Sequence, residues 1–122
     1  MTINPKRGEI WQVNLEPTIG QEIRKKRPVV VISSDLYSPI ALRIVIPLTT
    51  WQNKFVNVNR PFMVKIVQDK INGLNQDSAG NVLQIRSLST QRFIDKIGVV
   101  SNQVMGELLA GLIISIDYSI DN

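Results

Sequence analysis

This chain predicts a mainly β domain closed by one C-terminal α-helix, a small antiparallel barrel or sandwich. Three observations carry that reading. Short apolar runs with strand periodicity recur from residue 9 to residue 100, divided by Pro, Gly, Asn and Ser. One wide apolar stripe at helical spacing fills residues 104–116. At 122 residues, 43% apolar and 20% charged, the chain makes a single domain (1–122) with a core of its own.

Glu9 to Leu15 alternates, with Trp11, Val13 and Leu15 on one face and Ile10 in an in-between position, and reads as a half-buried strand. Pro17 and Gly20 end it, because both weaken a ladder. Arg27 to Ser33 is the second strand, and its unbroken run Val29-Val30-Val31-Ile32 predicts burial on both faces. Ser34 to Pro39 is a turn. Leu42 to Thr49 is the third strand, where Pro47 has no N–H to donate and predicts an edge or a bulge. Thr50 to Arg60 is polar apart from Trp51 and Phe55 and reads as a long loop. Phe62 to Val67, Asn81 to Leu88 and Ile97 to Val100 are the remaining strands, with a turn at Asn72 to Asn75. Ser101 can cap the helix by accepting an orphaned backbone N–H. Val104, Met105, Leu108, Leu109, Leu112, Ile113 and Ile116 form its core-facing stripe. Gly106 and Gly111 each cost it about 1 kcal/mol relative to Ala, so packing carries the helix or a glycine admits a close neighbour.

The chain has no cysteine and no histidine. Disulfides, thiolate zinc sites and the commonest acid/base residue are therefore excluded, and no metal or cofactor is expected. Catalysis would fall to Arg, Lys, Asp, Glu, Ser, Thr or Tyr. The N-terminus lacks the apolar core of a signal peptide, and the run Leu108 to Ile116 is too short to cross a membrane, so a cytoplasmic location is expected. The net charge of +4 is uneven: residues 1–60 hold nine Lys/Arg against four Asp/Glu, and residues 61–122 hold five against six. In the loop Gly20 to Pro28, Arg24, Lys25, Lys26 and Arg27 face only Glu22, and the loop runs straight into Val29-Val30-Val31. A cationic loop anchored on a buried strand offers charge to a polyanion.

Several of these pieces together resemble a known family. Arg7-Gly8-Glu9-Ile10-Trp11, Asn14 to Glu22 and Arg27-Pro28-Val29-Val30-Val31 resemble the N-terminal signature of MazF/PemK-type toxins. Pro47-Leu48-Thr49-Thr50, Gln84-Ile85-Arg86-Ser87-Leu88 and the helix from Met105 to Leu112 continue the match in order and spacing. The resemblance implies the toxin of a type II toxin–antitoxin pair, with an SH3-like β-barrel of about five to seven antiparallel strands and a C-terminal helix. It implies a homodimer that cuts single-stranded RNA, including mRNA, at short preferred sequences without a metal. The 2′-hydroxyl attacks the adjacent phosphate and leaves a 2′,3′-cyclic phosphate and a 5′-hydroxyl. A MazE-like antitoxin lays an extended, partly acidic tail over the RNA groove.

The residues support that chemistry to differing degrees. Attack by a 2′-hydroxyl needs a proton removed, charge stabilised on the phosphorane and a proton for the departing 5′-oxygen. A guanidinium fork suits phosphate oxygens. Read alone, Arg27 is one cation among four and Thr49 a common strand residue; by the resemblance they match the catalytic Arg and Thr. Glu22 matches an acidic loop residue that can orient Arg27 or accept a proton, and equally reads as a solvated carboxylate. Arg24, Lys25 and Lys26 steer RNA, which implies a steep salt dependence. Thr50 can add a hydrogen bond or be structural. Trp51, with Phe55 and Lys54 nearby, can stack bases or fold over the barrel mouth. Gln84 can read a base edge; Arg86 can pair with phosphate or lock the barrel. Leu83 stands where the family usually has an acid. Either the Arg/Thr pair suffices, or Glu22 substitutes, or activity is weakened. Two other classes share such a barrel: a gyrase-poisoning toxin similar to CcdB, and a non-catalytic nucleic-acid-binding module. Cleavage of naked RNA separates them.

Overall fold

The structure is a computed structural model that describes residues 3–22, 25–56 and 61–119. Among the described residues seven strands precede one helix: β1 (Glu9–Asn14), β2 (Lys26–Val31), β3 (Leu42–Thr50), β4 (Met63–Ile66), β5 (Ser78–Asn81), β6 (Arg86–Ser89), β7 (Phe93–Val99) and α1 (Asn102–Ser115). Every pairing is antiparallel. The order is β4-β5-β3-β2-β1-β7, with β6 also on β3. This is the mainly β fold with a C-terminal helix that the sequence predicts. The sheet is not closed, since no ladder among the described residues joins β7 back to the far edge.

Both faces of β2 are buried, as its apolar run predicts. Val30 joins Ile10, Ile46, Leu48 and Leu108 in a core beneath α1. Val29 and Val31 point the other way, against Val13, Leu15, Val45, Leu88 and Phe93. The turn at 34–39 contains a 3-10 turn, Asp35–Tyr37, and the long polar loop contains another at Asn53–Val56.

One expected strand divides in two. The segment Asn81 to Leu88 ends β5, forms a 3-10 turn at Val82–Gln84 and then begins β6. Asn81 causes the break: its side-chain oxygen accepts the Leu83 N–H at 3.2 Å, which satisfies the turn rather than a ladder. β5 itself, Ser-Ala-Gly-Asn, carries no apolar signal because packing demands small residues there. A Cβ on Gly80 would lie 2.5 Å from Leu108 Cδ2.

Ser101 caps α1, its Oγ accepting the Val104 N–H at 3.1 Å. The buried helix positions are Met105, Leu108 and Gly111. Ile113 and Ile116 remain 38% and 63% exposed, so the last helical turn passes beyond the core. The two helix glycines differ. A Cβ on Gly111 would meet Val64 Cγ2 at 3.0 Å and the Pro61 carbonyl at 3.3 Å, whereas on Gly106 it would meet nothing within 4 Å. Gly106→Ala is therefore expected to stabilise the protein by about 0.5–1 kcal/mol, and Gly111→Ala to give no gain. Urea midpoints of the two variants check this, and a lower midpoint for Gly106→Ala would refute it.

Glu9 ties β1 to its surroundings. Its Oε1 accepts the Lys6 N–H at 2.8 Å and the Trp11 indole N–H at 2.9 Å, and its Oε2 lies 3.0 Å from Lys96 Nζ. Burial alone would raise this carboxyl's pKa, but the Trp11, Lys6 and Lys96 contacts together outweigh it and hold the pKa below its ordinary value. A folded pKa below the unfolded one adds stability above the unfolded pKa, which is lost as pH falls through the folded value. Glu9→Gln is therefore expected to flatten the fall of stability below about pH 4.5. Denaturation midpoints from pH 6 to pH 3 would show parallel curves if Glu9 did not contribute.

Candidate active site

Two prolines shape the site. The β2–β3 ladder contains Val31↔Val45, Val30↔Ile46 and Val29↔Pro47. The Ile32 N–H bonds the Ile44 carbonyl at 2.9 Å, which sets the alternation. Hydrogen-bonded pairs fall at Ile32/Ile44 and Val30/Ile46, and the next would be Pro28/Leu48. Pro28 has no N–H to give. The ladder to β2 stops there, while along its opposite edge β3 pairs Leu48, Thr49 and Thr50 with Gly80, Ala79 and Ser78 of β5. Pro47 meets a matching gap on the other flank of β3, where β6 pairing ends at Val45 and β5 pairing begins at Leu48. The edge or bulge expected at Pro47 is this exchange of partners.

The parting of β2 from β3 opens a cavity of about 80 Å³ lined by Arg27, Pro28, Leu48, Thr49, Thr50, Gln76 and Ser78. Extending the register by two residues sets Arg27 opposite Thr49. Both follow the face of the Val29/Val31/Val45 core, so they meet at its rim. Arg27 and Thr49 are half-buried and Thr50 is exposed. The Arg27 backbone is held in the β1–β2 ladder opposite Val13. Thr50 Oγ1 accepts a hydrogen bond from Gln76 Nε2 at 2.7 Å, and Ser78 Oγ donates to the Gln76 carbonyl at 3.1 Å. A guanidinium and two hydroxyls around a small opening can hold a phosphoryl group. The larger hollow of about 470 Å³ sets Arg43 beside Ser38 and Thr90, but that guanidinium already gives its donors to five protein acceptors, and the hollow of about 270 Å³ sets Arg7 beside the Asp35 carboxylate.

None of the other expected site residues that the structure describes lines the cavity. Glu22 is exposed, and its Oε1 accepts the Ile19 N–H at 2.6 Å, closing its own loop. Lys25 adopts a positive φ of 67°, with its N–H donating to Glu16 Oε1 at 2.9 Å and its carbonyl accepting from Leu15 at 3.0 Å. Lys26 opens β2 opposite Asn14. Arg24 lies outside the described residues. Gln84 Nε2 donates to the Gln21 carbonyl at 3.2 Å, tying the Val82–Gln84 turn to the basic loop. Arg86 is half-buried on β6 opposite Val45. Leu83 is 58% exposed. Trp51 donates its backbone N–H to the Asp77 carbonyl at 3.0 Å and meets the buried Phe55 ring edge-on at 5.4 Å. Lys65 Nζ sits 5.2 Å over the indole. Lys54 is exposed, 6.0 Å from the Phe55 ring.

Gln76, Ser78, Pro28 and Lys65 are the residues that sequence reasoning missed. β5 has no apolar pattern, so nothing local sets Gln76 and Ser78 beside β3. A lone Lys on the outer face of a strand, such as Lys65, is ordinary. Pro28 was legible as a residue without an N–H, but its effect depends on which strand lies beside it.

Over residues 6–116 the chain matches the family described as PemK-like, MazF-like toxin of type II toxin-antitoxin system. It is 36% identical over 118 residues to endoribonuclease MazF9 of Mycobacterium tuberculosis, covering 92% of this chain and 96% of that protein. It is 32% identical over 114 residues to endoribonuclease EndoA of Bacillus subtilis, covering 91% and 93%. Similar solved structures include MazF from Deinococcus radiodurans, with a TM-score of 0.78 and 20% identity over 96% of this chain and 100% of that one. Another is an endoribonuclease in complex with its cognate antitoxin from a mycobacterial species, with a TM-score of 0.71 and 18% identity over 94% and 97%.

Proposed function

The chain belongs to the PemK-like, MazF-like toxins of type II toxin–antitoxin systems, and on that premise we propose that it is an endoribonuclease that cuts single-stranded RNA at the Arg27–Thr49 cavity. The observation that supports this site is the convergence of Arg27, Thr49 and Thr50 on one opening between β2 and β3. The RNA 2′-oxygen forms a bond to the adjacent phosphorus as the bond from phosphorus to the 5′-oxygen breaks. The 2′-hydroxyl gives up its proton to a base, and the departing 5′-oxygen takes one. Arg27 forks onto the non-bridging oxygens, and Thr49 donates one more hydrogen bond to the growing charge. Glu22 either takes the 2′ proton or orients Arg27 from the loop. No step requires a metal.

Arg24, Lys25 and Lys26 draw the polyanion in, and Trp51, Lys54, Lys65, Gln84 and Arg86 border its path. A MazE-like antitoxin with an acidic tail complements the same basic face. A homodimer belongs to this proposal too. Leu36, Tyr37, Ile40, Leu42 and Ile44 are each 45–85% exposed, more clustered apolar surface than a monomer usually leaves in water.

The test is incubation with single-stranded RNA in excess EDTA, followed by end-group analysis. Fragments ending in 2′,3′-cyclic phosphate and 5′-hydroxyl are expected, and a 2′-deoxy nucleotide at the cut should block them. Intact RNA would sink the reading. Pro28→Ala restores a donor to Leu48 and lets β2 and β3 pair across the opening. It is expected to slow cleavage by about 10- to 100-fold without lowering the urea midpoint. Unchanged cleavage would show that the prolines do not hold the site open.

A further inference from the structure

We propose that Gln76 is a positioning residue for this reaction, aiming the Thr50 hydroxyl proton at the bound phosphate; the inference rests on the function proposed above. A hydroxyl has one proton to give and two lone pairs to fill. The Gln76 amide fills one lone pair at 2.7 Å. The Thr50 proton then turns away from the amide, and Thr50 lines the cavity it shares with Arg27 and Thr49. Without Gln76 this hydroxyl, exposed at the end of β3, is a free rotor.

Gln76 itself is delivered by an ordered connection between β4 and β5. Asp69 Oδ1 accepts the Ile71 and Asn72 N–H groups at 2.8 and 2.7 Å. Buried Asn72 donates to the Val67 carbonyl at 2.9 Å and accepts from Leu74 at 3.1 Å. Gly98 passes so close that a Cβ there would lie 2.3 Å from the Asn72 carbonyl. Asp77 then holds the Gln68 N–H at 3.0 Å through its side chain and the Trp51 N–H at 3.0 Å through its carbonyl. The Ser78 hydroxyl fixes the Gln76 carbonyl. Gln76 is exposed and outside both apolar cores, so core packing does not explain its bond to a strand 26 residues away. An exposed hydrogen bond of this kind adds little net stability once side-chain ordering is counted.

The test is a kinetic cycle on a short RNA oligonucleotide with wild type, Thr50→Val, Gln76→Met and the double variant, each with its melting temperature. Losing a direct donor costs about 10²-fold in kcat, and losing the group that aims it should cost less, about tenfold. The double variant should be no slower than Thr50→Val, with KM and melting temperature unchanged by Gln76→Met. Gln76→Glu adds a readout that a structural role would not move. The new carboxylate repels the phosphate and cannot donate, so its defect should shrink as pH approaches about 4.3. Losses that multiply in the double variant, or a rise in KM alone, would overturn the inference. Unchanged kcat in Gln76→Met would do the same and leave the endoribonuclease reading standing. Wild-type protein that leaves RNA intact would overturn both.

Discussion

Arg27→Ala is expected to lower RNA cleavage by at least about 10²- to 10³-fold while the protein stays folded. The activity loss follows from chemistry. The phosphorane gains negative charge on oxygens that a guanidinium meets with two parallel N–H groups, and among the described residues no other cation lines the cavity. The survival of the fold follows from position. Arg27 enters the β1–β2 ladder through its backbone, opposite Val13, and Ala keeps that pairing. Its side chain lies at the rim of the core rather than within it. Arg27→Lys separates charge from geometry, since an ammonium keeps the charge but not the fork, and it should restore only a small part of the rate. Single-turnover cleavage beside circular dichroism and urea unfolding measures both effects. Retained activity, or an unfolded variant, would withdraw Arg27 from the centre of the mechanism.

Arg43→Met is expected to destabilise the protein by about 3–5 kcal/mol, the largest stability loss we anticipate for one side chain. Arg43 lies in the middle of β3 and is 5% exposed. Its Nε donates to the Pro5 carbonyl at 2.8 Å, and Nη1 donates to the Ile40 and Leu42 carbonyls at 2.6 and 2.9 Å. Its Nη2 donates to Asn4 Oδ1 at 2.9 Å and the Ser38 carbonyl at 3.2 Å. One guanidinium thus satisfies five acceptors and pins both the N-terminal segment and the Ser38–Leu42 connection. Methionine fills much of the volume but leaves those acceptors without a donor. Lysine, a single ammonium, reaches only some of them. Chemical denaturation of Arg43→Met and Arg43→Lys tests this, with a loss under about 1 kcal/mol counting against it. Because Arg43 does not line the Arg27 cavity, kcat at a temperature where both are folded should be unaffected.

Most of the fold was legible from residue 9 onward. Burial on both faces of β2 followed from four consecutive apolar residues, and the start of α1 from Ser101. Arg27 and Thr49 were legible as candidate site residues through the family they resemble, and the continued register sets their positions opposite each other. Other features were not. Ser-Ala-Gly-Asn reads as a turn, and only contact with Leu108 explains a strand there. Arg43 alternates with apolar residues and looks like any outward strand cation. Glu22 matches the family's acid, yet its described bond closes its own loop rather than reaching Arg27.

The sequence by itself determined most of the segments that become strands, the helix, the family the chain resembles, and that any catalysis must do without histidine or cysteine. These are local matters, because periodicity and composition record each residue's own surroundings. Only the tertiary structure decided that β3 parts from β2 at Pro28 while it exchanges β6 for β5 along its other edge at Pro47, that a cavity opens in the parting, and that Gln76 reaches Thr50. Those features depend on which distant segments supply or withhold partners for the backbone hydrogen bonds of β3, and no single stretch of the chain contains that information.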